Sequence, residues 1–571
     1  MRKPGTFAAR ATGQYRARDT LTYLGLRYYL DNSAATSDRW VGEVAASLVR
    51  RRSVAPYHRA YHFKEMGANG ELQHRELMVP APNEALAEAF LIDTCAMQGG
   101  HFARSPNVFS YWPSQCGDRK GVFVDYIVGL KERYASITSA CHRAHDATVC
   151  FRDIKRFYPS IRIANALRAW QSACEVAGLD RAHQELGDRL LSDHASAGGG
   201  HLLTGPMFSH FIGNLYLRPL DERMREGPAQ YVRYVDDVTL VGSRDAIQTS
   251  LAILQEEIDK LELTLHDSDS PKSLEVSKQD WLLGEGDYDK YSPWMYMIGD
   301  IKKFLLWYPE STETLRDAMV AEDLRLPIPD YSVVVRESSY AERALRFIGW
   351  GKYRNGIQGL KVRELVARAK ELRTTMDREL IQTVEQLGRI RGYSAKRLLT
   401  RCRYLAGRLI YIAESGRLAE LSHSMRSMPD LTFQAAVAHA VSSRSVDELV
   451  DMGVNAAQAA SQPLRASART VSLKRPIEQP WQLQVINILA VNGLHIDSTE
   501  ALRTNDPLHR FATQGVTGDL MRHENAYVRE LACLHGLQDG TRHQKMMETA
   551  FDPAQDIVLD AIEQARGSLS T

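Results

Sequence analysis

The sequence predicts an α+β protein whose C-terminal part is all α. Three observations carry this. Apolar strand-like runs, ATVCFRDI (147–154), YVRYV (231–235) and VTLVG (238–242), alternate with helical stretches up to about Leu283. Beyond about Arg336 the pattern turns helical, as in KVRELVARAKELRTTMDRELIQTVEQL (361–387), with an apolar period of 3.6 and no convincing strand. The length of 571 residues is too great for one hydrophobic core, so three or four folding units are expected.

Composition narrows the class. With 44% hydrophobic and 25% charged residues the chain is an ordinary globular one, which excludes disordered and collagen-like classes. No run approaches the twenty or so apolar residues that span a bilayer, and MRKPGTFAARATGQYRARD at the start has basic residues without an apolar core behind them. A cytoplasmic protein with no membrane partner is expected. The seven cysteines (Cys95, Cys116, Cys141, Cys150, Cys174, Cys402, Cys533) are odd in number and lack paired spacing, which favours free thiols. CHRAHDATVC (141–150) has two Cys and two His, but Cys150 falls in an apolar strand and the spacing fits no common zinc pattern.

The net charge of +1 argues against a protein that coats nucleic acid without discrimination. Charge is uneven, however. From Gly388 to Arg408 the run GRIRGYSAKRLLTRCRYLAGR carries Arg389, Arg391, Lys396, Arg397, Arg401, Arg403 and Arg408 with no acidic residue, where a solvated helix face would mix signs. A phosphate-facing surface is expected there. SQPLRASARTVSLKRPIEQP (461–480), rich in Ser, Pro and Arg, reads as a linker or exposed crossing before a last helical unit from Trp481 onward.

Chemistry enters with YVRYVDDVTLVG (231–242), where Asp236 and Asp237 interrupt two β runs. A polar two-residue break between strands is a hairpin signal, and taken alone it describes a surface turn with solvated carboxylates. CFRDIKRFYPSI (150–161) alters that balance: a strand ends in Asp153, followed by Lys155, Phe157, Tyr158 and Pro159. A buried carboxylate needs a partner, and a cation supplies one. Asp153, Asp236 and Asp237 converging from adjacent strands would hold two Mg2+ ions about 4 Å apart, the arrangement that clamps the attacking and leaving oxygens of phosphoryl transfer. Substrate phosphate oxygens complete the Mg2+ octahedron, which suits nucleotide polymerisation.

At these residues the chain resembles the reverse transcriptases. YVDD matches their YxDD motif, and DIKRFYPSI their first catalytic motif. HLLTGPMFSHFIGNLYL (201–217) is similar to their third signature, in which a glycine turn, here Gly205, opens a helix whose small residues Ser209 and Gly213 leave a flat stripe; alone, it is an ordinary amphipathic helix. The family often has Pro and Gln before that glycine, where this chain has Leu203 and Thr204, which moves the resemblance toward the abortive-infection and defence-associated branch, related to retron and group II intron enzymes. YHFKEMGANGELQHRELMVPAPNEALAEAF (61–90) resembles the fingers segment, with Arg75, just before the strand LMVP, and Lys64 as triphosphate ligands. LELTLHDSDSPKS (261–273) resembles the motif whose lysine, here Lys272, protonates pyrophosphate, and WLLGEG (281–286) the primer grip.

The resemblance implies a right-hand polymerase: N-terminal segment and fingers over 1–120, a palm with an antiparallel sheet, the YVDD hairpin and inserted fingers helices over 121–290, a helical thumb over 291–425, and an α-helical C-terminal domain over 426–571. It implies catalysis by Asp153, Asp236 and Asp237, a metal set of Asp153, Ile154, Asp236 and Asp237 for two Mg2+ or Mn2+ ions, and nucleotide contacts from Arg75, Lys64, Phe157, Tyr158, Gly205 and Lys272. Tyr158 takes the steric-gate position, which excludes a ribose 2′-OH. Arg389, Arg391, Lys396, Arg397, Arg401 and Arg403 would meet nucleic acid. The implied partners are an RNA template or non-coding RNA, dNTPs, a DNA product, a second copy of the chain and a phage-encoded trigger. Two alternatives stand beside templated synthesis: protein-primed, template-independent DNA synthesis by the same site, and a nucleic-acid-binding defence scaffold.

Overall fold

The computed structural model describes residues 6–15, 19–23, 26, 38–50, 56–114, 121–270, 272–284, 292–326, 328, 360–498, 502, 505–515 and 517–536. The expected change to helix at Arg336, Cys116, Pro271 and the end of WLLGEG at Glu285 and Gly286 lie outside these residues. The described chain mixes helix and sheet, with helix at 64%, so the α+β expectation holds at that level.

Strands β1 (Tyr57–Met66) and β2 (Leu72–Pro80) form an antiparallel hairpin. Strands β3 (Thr148–Asp153), β4 (Gln230–Tyr234), β5 (Asp237–Gly242) and β6 (Leu274–Ser277) form a second, four-stranded antiparallel sheet in the order β4-β5-β3-β6. Alternation along each strand explains how it packs. Cys150, Tyr231, Val238 and Leu240 point into a core shared with Ala166 and Trp170 of helix Ile163–Ala177, Phe208 and Phe211 of helix Met207–Tyr216, and Leu254 and Ile258 of helix Arg244–Lys260. Val149, Val232, Val241 and Val276 point the other way, onto Ile137, Ala140 and Cys141 of helix Tyr126–Arg143 and onto Trp281. Both faces are covered, which is why the strands read as nearly unbroken apolar runs.

A large helical part follows. Helices Ser292–Trp307, Val362–Leu387, Gly392–Ile412, Ser415–Met425, Thr432–Ser443, Val454–Ser467 and Leu483–Val491 share one core, which also takes in Ala60 of β1 and Val79 of β2. The contact with β1 is specific. Phe63 donates its N–H to Asn455 Oδ1 at 2.9 Å and accepts from Asn455 Nδ2 at 3.0 Å, while Gln484 Nε2 donates to the Arg59 carbonyl at 2.6 Å. Two side-chain amides thus take the place of a third strand and cover an edge that would otherwise invite another chain.

Two expectations are corrected. The C-terminal region is not all α: β7 (Thr470–Leu473) and β8 (His495–Ser498) pair in parallel. At four residues each, TVSL and HIDS are too short to display a period of two. Most of the expected linker is ordered too: Ser461–Ser467 belong to helix Val454–Ser467, with Ser461, Pro463 and Leu464 buried. The stripe Ala456, Ala457, Ala460 and Leu464 outweighs the Ser/Pro/Arg composition. Among the described residues no helix is long and apolar enough to cross a membrane, and Cys95, Cys141, Cys150, Cys174, Cys402 and Cys533 are free thiols.

Candidate metal and nucleotide site

The register of the central sheet brings the carboxylates together. Asp153, the last residue of β3, lies directly opposite Asp237, the first of β5, and Asp236 occupies the two-residue tip joining β4 to β5. The Ile154 N–H donates to the Asp236 carbonyl at 3.2 Å, tying the end of β3 to the tip. Directly opposed like charges destabilise an antiparallel pair, a cost that neighbouring positive charge offsets.

The electrostatics agree. Burial, then the charges of Asp237 and Asp153, push the Asp236 carboxyl up to about 6. Asp237 is also raised, chiefly by burial; Arg133, whose Nη1 lies 3.8 Å from Asp237 Oδ2, opposes the shift, and the exposed half of its side chain tempers it. Arg133 is steadied by Nη2 donating to Thr239 Oγ1 at 2.9 Å, with its guanidinium over the Tyr234 ring. Asp153 is buried and meets Lys272 Nζ at 3.0 and 3.1 Å from its two oxygens, and His266 Nε2 at 3.2 Å. Burial, then the Lys272 charge, hold the His266 imidazole below its usual range.

Among the described residues no group of three or more His, Cys, Asp or Glu side chains stands ready to hold a metal ion as placed. At Asp153 the Lys272 ammonium neutralises the carboxylate. The donor set nevertheless fits Mg2+ or Mn2+: hard carboxylate oxygens from neighbouring strands, two of them with raised affinity for a proton and so short of positive charge. In the CHRAHDATVC segment, Cys141 and Cys150 are buried in the cores on opposite faces of the sheet.

The nucleotide candidates divide. Phe157 and Tyr158 pack where Gly213 leaves room; a Cβ on Gly213 would stand 3.0 Å from the Phe157 ring and 3.3 Å from that of Tyr158. The Tyr158 hydroxyl shares a hydrogen bond with His210 Nδ1, and His210 stacks on Tyr111 at 3.8 Å. Gly205 takes φ +125°, and a Cβ there would meet the Met78 carbonyl oxygen at 2.6 Å, so glycine is required where β2 crosses the turn. Arg75 is exposed within β2 rather than ahead of a strand, because LQHRELMVP extends as one unit; Glu76 pairs with Arg59, not with Arg75. Lys64 pairs with Glu65, whose carboxyl is held below its ordinary range by that hydrogen bond and by the charges of Lys272 and Arg403. Glu65 of β1 therefore feels the charges of both Lys272, the Asp153 partner, and Arg403 of helix Gly392–Ile412.

The basic run also divides. Arg389, Arg391 and Lys396 are exposed, and Arg397 Nη2 donates to the Leu283 carbonyl at 3.0 Å. Arg401 is mostly buried in a two-bond pair with Glu379 at 2.7 Å, Arg403 pairs with Asp430 at 2.9 Å, and Arg408 lies over the rings of Trp294 and Tyr404. The acids that balance the run come from other elements. Tyr393 stacks on Trp281, and both approach Phe151 of β3, seating this helix against the sheet. The sequence reading missed His266, Arg133 and His210, and also Arg233, a lone charge in an apolar strand that the argument applied to the aspartates could have found. Compared with known proteins, the chain matches no protein-family model and no curated protein.

Proposed function

We propose that this protein is a nucleotide polymerase whose carboxylates hold divalent cations. More particularly, we read it as an RNA-directed DNA polymerase, a reverse transcriptase acting in bacterial antiviral defence, with two-metal nucleotidyl transfer of dNTPs. One observation carries the reading: Asp153 stands opposite Asp237 in the ladder with Asp236 at the adjoining tip. A scaffold has no use for opposed carboxylates in an apolar hairpin.

Asp153, Asp236 and Asp237 would hold the ions, with Ile154 fixing the strand end beside them. When bound, the cations lower the pKa of the primer hydroxyl and neutralise the triphosphate. The hydroxyl releases its proton to solvent and its oxygen bonds to the α-phosphorus as the bond to the bridging oxygen breaks and pyrophosphate departs. Arg75 and Lys64 on the β1–β2 hairpin bind the triphosphate, Tyr158 sets the sugar and Lys272 supplies a proton to pyrophosphate. Arg389, Arg391 and Lys396 present the exposed positive charge for an RNA template and a DNA product, with the half-buried Arg397 beside them.

Incorporation of labelled dNTPs on a primed RNA by the purified chain tests this reading. Asp236→Asn should abolish Mg2+-dependent incorporation while the fold is kept, with a melting temperature no lower than that of wild type, and full activity in that variant refutes the site. Tyr158→Ala should admit ribonucleotides; unchanged sugar discrimination removes the gate role.

A further inference from the structure

Val235, at the tip beside Asp236, has φ +59°, the left-handed region that a β-branched residue adopts only when its surroundings fix it. Both of its backbone polar groups are held. Its N–H donates to Ser110 Oγ at 2.6 Å and its carbonyl accepts from Arg233 Nη1 at 2.8 Å. Arg233 is wholly buried, and Asp221, equally buried, sets the plane of its guanidinium: Nε and Nη2 each donate to one Asp221 oxygen at 2.7 Å. Nη1 also donates to Asn214 Oδ1 at 3.1 Å, and Asn214 Nδ2 donates to the Ser110 carbonyl at 3.0 Å. A single network thus runs from Asp221 through Arg233 and Asn214 to Ser110 and closes on both sides of Val235.

We infer that Arg233 is a positioning residue: by fixing the left-handed turn at Val235 it sets the direction in which Asp236 and Asp237 present their carboxylates opposite Asp153. This deepens the proposed function and rests on the reading of the three aspartates as a shared cation site. The buried pair is costly to desolvate and a poor source of stability, so its value lies in orientation. Only the planar arginine fork can grip both Asp221 oxygens, Asn214 and the Val235 carbonyl together; a lysine has no such plane.

Mn2+ binding to the full-length chain, followed by electron paramagnetic resonance without nucleotide, tests the inference. The variants are Arg233→Lys, Ser110→Ala, and the double variant Asp221→Leu with Arg233→Met, which removes both buried charges at once and takes away the bond to the Val235 carbonyl. Thermal melting checks each fold. In the folded double variant Mn2+ affinity should fall by about tenfold or more, as expected for loss of a group that orients metal ligands. Ser110→Ala should lose less, and Arg233→Lys should not restore the wild-type value. Polymerisation should lose kcat while KM for dNTP stays within about twofold. Wild-type Mn2+ affinity in the folded double variant overturns the inference and leaves the aspartate site standing. If the double variant does not fold, Ser110→Ala decides, and unchanged affinity there overturns it. A wild-type chain that binds no Mn2+ at the aspartates overturns the site and the inference together.

Discussion

Asp236 carries the pH dependence of the site. Its carboxyl, pushed up to about 6, takes a proton as the pH falls through that value, and the proton then competes with the cation. The Mg2+ concentration for half-maximal incorporation should rise steeply between pH 7.5 and 5.5, and a flat requirement across that range contradicts the assignment. The stability sign is the reverse. A carboxyl with a raised folded pKa favours the fold at low pH, and that contribution is lost as pH rises through about 6, so Asp236→Asn should melt higher than wild type at pH 7 without metal. A second residue acts independently. His194 is wholly buried, its ring nitrogens have no hydrogen-bond partner among the described residues, and burial holds its pKa down to about 3. The unfolded chain gains a proton near pH 6.5 and the folded chain does not, so stability falls as pH drops below that, by roughly 2 kcal/mol at pH 5. Asp236 acts in the opposite direction in both proteins, so the test is a difference: in urea melts the stability lost from pH 7 to pH 5 should be about 2 kcal/mol greater in wild type than in His194→Phe. The three aspartates were legible because charge in an apolar run is expensive and therefore informative. His210 and Ser110 were not, because their partners, Tyr158 and Val235, lie 52 and 125 positions away.

At the scale of elements, long strands with alternating or continuous apolar residues declared themselves, and short ones did not. β3, β4 and β5 matched their sequence ranges closely, whereas β7 and β8 could form only because each finds the other across the helix Leu483–Val491 that separates them in sequence. The basic helix Gly392–Ile412 shows the same limit in charge: its sign pattern was visible, but the carboxylates of Glu379 and Asp430 that neutralise Arg401 and Arg403 arrive from neighbouring elements. Gly205 was legible as a turn, and its reason is now specific, since both its φ and its distance to Met78 exclude a side chain. Gly205→Ala should destabilise the protein by about 1–3 kcal/mol in chemical denaturation, through strain and displacement of β2 from the turn. Wild-type stability in that variant shows that β2 and the turn do not meet as described.

At the scale of the molecule, the C-terminal helices and the β1–β2 hairpin share one core, so the hairpin that carries Arg75 and Lys64 is held from behind by Asn455 and Gln484. Removing residues 427–571 should bare the β1 edge together with Ala60 and Val79, and the remaining chain should aggregate on size-exclusion chromatography. A monodisperse, folded fragment contradicts that coupling. Sequence periodicity could not reveal it, because residues joined across some 390 positions, such as Phe63 and Asn455, carry no local signal of each other. Crystals of the full chain soaked in Mn2+ and measured at its absorption edge test directly whether the end of β3 and the tip of the β4–β5 hairpin share divalent cations, as proposed. Two anomalous peaks about 4 Å apart should appear among the carboxylates of Asp153, Asp236 and Asp237, with Lys272 Nζ displaced from Asp153. Crystals that take up Mn2+ only at other sites, with Lys272 still on Asp153, contradict that sharing.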